Sequence, residues 1–217
     1  MTELAYLSTT EALHLFRTRQ LSPRELMTAV IERAELVEPV ANAFAERLYR
    51  PGGHPRPLEG LPVAAKEEQP IAGHPVTDGT PLRAPYVATK TAIALSRIQD
   101  AGGIVHARTT TSEFCCLPLS HTRRWGVTRN PWNLAAAAGG SSGGSAASLA
   151  AGTTTLATGS DIGGSLRAPA SFTGVVAFKP PHGRNPILPP AGRDVNPPTE
   201  QTTVSAERVK RFETVVV

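Results

Sequence analysis

Gly139-Gly140-Ser141-Ser142-Gly143-Gly144-Ser145-Ala146-Ala147, followed a few residues later by Gly159-Ser160-Asp161-Ile162-Gly163-Gly164-Ser165, is the stretch that decides how this chain folds. Each run is a glycine-serine turn. The first leads into an alanine-rich helix expected from about residue 145 to 151, and the second into residues 166 to 171. Strands are expected at 154–158 and 175–178. A glycine-rich turn ahead of a helix aims several backbone N–H groups at one point, which suits a phosphate or a developing oxyanion. The phosphate reading requires Gly-Lys followed by Ser or Thr, and residues 139–146 contain no lysine. The oxyanion reading places the N–H groups of Ile162, Gly163, Gly164 and Ser165 around a reacting carbonyl.

Working outward, Leu61-Pro62-Val63-Ala64-Ala65 reads as a short buried strand that ends at Lys66. Residues 89–101 read as a helix stopped by Gly102-Gly103, and 104–107 as the next strand. Strand, helix, strand implies an α/β sheet. Further upstream, residues 9–18 form a short helix. Ser22-Pro23-Arg24-Glu25 starts a second with an N-cap, a proline at the first position and a capping-box glutamate. Pro39 is expected to end it. Leu26, Val30, Ile31, Ala34 and Val37 recur along one face, which must pack on something larger. The chain therefore divides into an N-terminal helical segment (1–50), a core (51–190) and a proline-rich, charged tail (191–217), with a short helix expected near 205–214.

Composition narrows the function classes. The chain has 217 residues and 40% hydrophobic content, enough for a real core, with 19 Gly, 20 Pro and only 5% aromatics. A net charge of +4 would permit nucleic-acid binding, but the basic residues are scattered and no aromatic-interleaved basic stripe appears, so no nucleic-acid partner is expected. Cys115 and Cys116 are adjacent and make a poor structural disulfide, which fits a reducing compartment. The first residues lack a signal-peptide pattern, and the apolar runs are short and broken by Gly and Ser, so a cytoplasmic chain without a membrane segment is expected. No His/Cys/Asp spacing suggests a metal, and no cofactor is implied.

A serine hydroxyl is a weak nucleophile and needs a base. The histidines at 14, 54, 74, 106, 121 and 182 stand in no triad motif, and Gly-x-Ser-x-Gly is absent around Ser165. A lysine serves as base where an apolar surround disfavours its ammonium form, and Lys66 ends an apolar strand; position alone equally fits an ordinary strand-end lysine. Glu67 and Glu68 are consecutive and point apart, which argues against a paired-carboxylate site. Cys115 has no base partner and reads as a small buried hydrophobe, and His121 with Arg123-Arg124 as a solvated loop.

The two serine turns together with Leu166-Arg167-Ala168-Pro169-Ala170, Gly60-Leu61-Pro62-Val63-Ala64-Ala65-Lys66, and Gly126-Val127-Thr128-Arg129-Asn130-Pro131-Trp132-Asn133 resemble the amidase signature family over roughly residues 8–190. The resemblance implies an α/β fold with a mixed sheet flanked by helices, and an amidase acting on a small-molecule amide. It makes Ser165 the nucleophile, Ser141, after a cis peptide, the proton bridge, and Lys66 the base. The 24-residue step between the serines agrees with the family spacing. Ser142, Asp161 and Arg167 are implied as supports of the turns, with Asp161 as general base the rival reading. The same chemistry would also serve the amidase subunit of a glutamine-dependent tRNA amidotransferase, which resembles these enzymes closely, and a homodimer is the partner arrangement expected.

Three departures stand out. Ala135-Ala136-Ala137-Ala138 occupies the place of a more usual polar residue and proline, which predicts a looser hold on Ser141. Glu67-Glu68-Gln69 replaces a more usual aspartate-containing sequence and alters the field around Lys66. Family members also continue for about as long again after the signature, so an incomplete sheet and pocket, and hence a truncated, catalytically inactive amidase-like chain, is the alternative expectation.

Overall fold

Two serines begin the N-terminal helices in the same manner. In the computed structural model, which describes residues 3–48, 57–181 and 214–216, α1 (Thr9–Arg17) is capped by Ser8 and α2 (Pro23–Ala41) by Ser22. Each serine hydroxyl accepts the N–H of a glutamate three residues on, and that glutamate's carboxylate accepts the serine N–H. Pro39 does not end α2. It sits in the last turn, where a missing N–H forfeits a single bond, and the helix runs on to Ala41 and closes at Asn42, in the left-handed region at φ 50°. The Glu38 carboxylate then accepts the N–H groups of Ala43 and Phe44 and turns the chain into β1 (Phe44–Arg47), a strand the sequence pattern did not signal.

The rest follows as β2 (Pro62–Lys66), α3 (Ile93–Asp100) and β3 (Ile104–Thr109), then two small hairpins, β4 (His121–Thr122) with β5 (Gly126–Val127) and β6 (Arg129–Asn130) with β7 (Asn133–Ala137). After these come α4 (Gly143–Ala150), β8 (Leu156–Ser160), α5 (Arg167–Thr173) and β9 (Thr214–Val216). His121 thus lies in a hairpin, and the polyalanine run is strand rather than loose loop: Ala137 pairs with Arg129, and Ala138 N–H donates to Thr128 O. The strand expected at 154–158 starts two residues later, because the Thr154 and Thr155 hydroxyls reach the Pro62 carbonyl at its entry.

The strand expected at 175–178 does not form. Gly174 closes α5 at φ 71°, and the residues beyond it have no strand partner, with Val176 79% exposed. A strand needs a neighbouring edge, and the one beside β8 is taken by β9. The helix expected at 205–214 lies outside the described residues, apart from Thr214 in β9.

The main sheet runs β1-β3-β2-β8-β9, parallel through β3, β2 and β8 and antiparallel at both edges, so it is mixed. Alternation divides its faces, and an irregularity in the β2–β3 pairing, which skips His106, sets Val105 and Ala107 on opposite sides. Val63, Ala65, Val105 and Leu156 pack with Leu95 and Ile98 of α3. On the opposite face Ala64, Ala107 and Ala157 meet Ala34 of α2 and Ala147 of α4. Helix α2 thus takes part in the main core, and a further cluster joins Ala12 and Phe16 of α1 and Leu26 and Val30 of α2 to Leu61.

An all-alanine face lets α4 come close, and its first turn comes closest. A Cβ on Gly144 would stand 2.5 Å from Ala43 O and Thr110 N, both backbone atoms that cannot step aside. Gly144→Ala should therefore destabilise the fold by about 3 kcal/mol through overpacking, read as a lowered denaturation midpoint in urea.

Candidate active site

Lys66 shares its pleat face with Ala64 and so points toward the start of α4. It is fully buried. Its Nζ donates to Ser141 Oγ and to Ser160 Oγ, both at 2.7 Å, and lies 3.2 Å from Glu68 Oε2, whose side chain is 10% exposed. A buried amine without acceptors is costly, and here each approach is met by an oxygen.

The two serine turns are tied to each other. The Gly140–Ser141 peptide is cis. Ser142 N–H donates to Ser165 O at 3.1 Å, while the Ser142 hydroxyl donates to Ser160 O and accepts Ser160 N–H. Ser120 braces the first turn from outside, accepting Gly143 N–H at 2.9 Å and donating to Ser141 O at 3.1 Å. Gly159 has no room for a side chain, since a Cβ there would meet Leu166 Cδ2 at 2.5 Å and Ser142 Oγ at 2.8 Å.

Asp161 organises the second turn. Its carboxylate accepts the N–H groups of Gly164, Leu166 and Arg167 and a two-point contact from the Arg167 guanidinium at 2.8 and 2.9 Å. Burial pushes the carboxyl up, but the guanidinium and the three N–H groups outweigh it and hold the group well below the usual carboxylate range. A carboxylate so occupied is a turn support, not a free base. The same bonding corrects the expected oxyanion hole: the Gly164 N–H is spent on Asp161, leaving those of Ile162, Gly163 and Ser165. Ile162 and Gly163 are exposed, and Ser165 is half-buried, its hydroxyl making no hydrogen bond with Ser141.

Glu67 and Glu68 do point apart, yet only one of them points away from the site. Glu67 accepts the Thr77 N–H, while Glu68 turns to Lys66. Cys115 lies beside Glu68, with Sγ 3.5 Å from Oε2, and burial together with that carboxylate pushes its thiol up to about 12, so it stays neutral. Among the described residues no group of three or more His, Cys, Asp or Glu could hold a metal, and no helix is long and apolar enough to cross a membrane.

A family model described as Amidase matches residues 25–212. The chain belongs to the amidase family. The match continues past residue 190, into the stretch whose composition looks atypical. An acylamidase of Rhodococcus erythropolis is 37% identical to this chain over 212 residues, 90% of this chain and 44% of that protein. A glutamyl-tRNA(Gln) amidotransferase subunit of Carboxydothermus hydrogenoformans is 37% identical over 196 residues, 83% of this chain and 40% of that one. Among solved structures, 6-aminohexanoate cyclic dimer hydrolase complexed with substrate superposes with a TM-score of 0.78 at 33% identity, over 88% of this chain and 40% of that chain. The chain thus spans 40–44% of the length of the curated relatives named.

The structure brings Lys66 into contact with Ser141, joins Asp161 to Arg167, and ties the two turns through Ser142 N–H and the backbone carbonyl of Ser165. The sequence pattern does not single out Ser160 or Glu68, whose side chains supply the other two oxygens beside Lys66 Nζ. Ser160 reads as one more small residue in a glycine-serine turn, and Glu68 as one of two consecutive carboxylates that point apart.

For Asp161 the pH sign follows from the depressed carboxyl. Its contribution is present above the unfolded carboxylate range near pH ~4 and is lost as pH falls toward the folded value. Asp161→Ala should cost about 2–3 kcal/mol at pH 7, by stranding N–H groups, and should flatten the acid limb of a stability–pH curve measured by urea titration.

Proposed function

We propose that the chain hydrolyses a carboxylic amide to the acid and ammonia or an amine through an acyl-enzyme on Ser165. The observation that carries this reading is the buried 2.7 Å contact between Lys66 Nζ and Ser141 Oγ, next to a turn that presents Ser165 and open N–H groups. With Lys66 neutral, Ser165 passes its proton to Ser141 as Ser141 passes its own to Lys66, and Ser165 Oγ bonds to the amide carbon. The N–H groups of Ile162, Gly163 and Ser165 receive the oxyanion. The relay then reverses, the C–N bond breaks as the leaving nitrogen takes the proton, and water hydrolyses the ester. The relay closes when the Ser165 hydroxyl swings onto Ser141.

A second reading draws support from the relative named as a tRNA amidotransferase component: the same chemistry then supplies ammonia inside a complex. The exposed Ile162 and Gly163 support a third, an amidase-like chain without turnover. A small-molecule amide is the substrate class in the first reading. A homodimer and a cytoplasmic location accompany it as proposals.

The test is acyl transfer from a panel of aliphatic and aromatic amides to hydroxylamine. Activity should vanish in Ser165→Ala and fall by at least about 1,000-fold in Lys66→Ala. Unchanged rates in both variants would falsify the mechanism. Glutamine-dependent activity only with a copurifying partner would favour the amidotransferase reading, and cooperative unfolding with no turnover the inactive one.

A further inference from the structure

Glu68 is placed where no other part of the relay accounts for it. Its carboxylate reaches back from the turn after β2 to within 3.2 Å of Lys66 Nζ and is 10% exposed, so little water weakens the pairing. With Ser141 Oγ and Ser160 Oγ, it completes a cage of three oxygens around a fully buried nitrogen. The two hydroxyls serve either an amine or an ammonium, because a hydroxyl both donates and accepts. A carboxylate only accepts, and it favours the cation.

We propose that Glu68 is a positioning residue that acts through Lys66: it anchors Nζ between Ser141 and Ser160 and holds it charged at rest, so that the relay is armed only as pH rises. This rests on the reading of Lys66 as the base. The mechanism needs neutral Lys66, so a carboxylate that stabilises the ammonium moves the rising limb of the rate to higher pH, and removing its charge moves that limb down.

Other charged groups around the pair are arranged so that Glu68 dominates. Glu67, on the same turn, is occupied by Thr77 N–H. Arg108 of β3 donates to the carbonyls of Pro75, Glu67 and Gln69, and its charge is met by Glu46 of β1 at 3.5 Å. Asp78, in the loop facing the turn, pairs with Arg83, and burial pushes its carboxyl up to about 6. Cys115 is neutral, and Asp161 beyond β8 is neutralised by Arg167. Asp78 therefore adds a second, lower titration near the pair, which a direct probe of the lysine separates from its own.

The chain has four lysines, at 66, 90, 179 and 210, so full-length protein labelled with 13C at lysine Cε gives four NMR signals, that of Lys66 being assigned by its loss in Lys66→Arg. The midpoint of the Lys66 signal should fall by about one pH unit in Glu68→Gln, stay near the parent value in Glu68→Asp, and leave the other three signals in place. The rising limb of acyl transfer to hydroxylamine should shift by the same amount. A midpoint unmoved in Glu68→Gln overturns the role of Glu68, as does an equal shift in Glu68→Asp, which would mark a packing effect. A midpoint that moves while turnover survives Lys66→Ala overturns instead the assignment of Lys66 as base, and with it the coupling to rate.

Discussion

A primary amine buried with no exposed surface is the constraint around which this structure is arranged. Lys66 reaches its position because a parallel strand ends there, and it stays because Ser141, Ser160 and Glu68 supply oxygen on three sides. Each of those oxygens comes from a different stretch of chain: the turn before α4, the end of β8 and the turn after β2. Their convergence depends on the order β3-β2-β8, which sets the strand carrying Lys66 beside the one carrying Ser160 and beneath the helix that follows Ser141. The polar site and the apolar sheet are in this sense one construction.

The serine turns behave as a single unit. Ser142 links their backbones through Ser165 O and Ser160, and Asp161 gathers three N–H groups of the second turn with the guanidinium of Arg167. Side chains that never meet a substrate in the proposed mechanism thus decide where the ones that do are held.

Much of this was legible in the residues. Capping boxes, glycine punctuation and the two serine turns marked the helices and the site, because each rests on short-range hydrogen bonding or on φ values that few residues adopt. What escaped notice was set at long range. β1 exists because β3 offers it an edge, the polyalanine run becomes a strand because residues 129–130 pair with it, and residues 175–178 remain unpaired although their composition favours a strand. Pro39 was over-read, since a proline near a helix end removes little. Ser160 and Glu68 join the site through a turn and a strand end, where alternation no longer says which way a side chain faces.

The alanine face between the sheet and α4 has a consequence for how such a chain can diversify. With Ala64, Ala107, Ala147 and Ala157 in the seam and bare glycine at the head of the helix, the interlayer spacing is already near its minimum, and it gauges the reach from Lys66 to Ser141. Added methylene groups would widen that gauge and part the two atoms. Added bulk is therefore expected to be better tolerated at the outer rim, where Ile162, Phe172 and Val176 are at least half exposed, than in the seam.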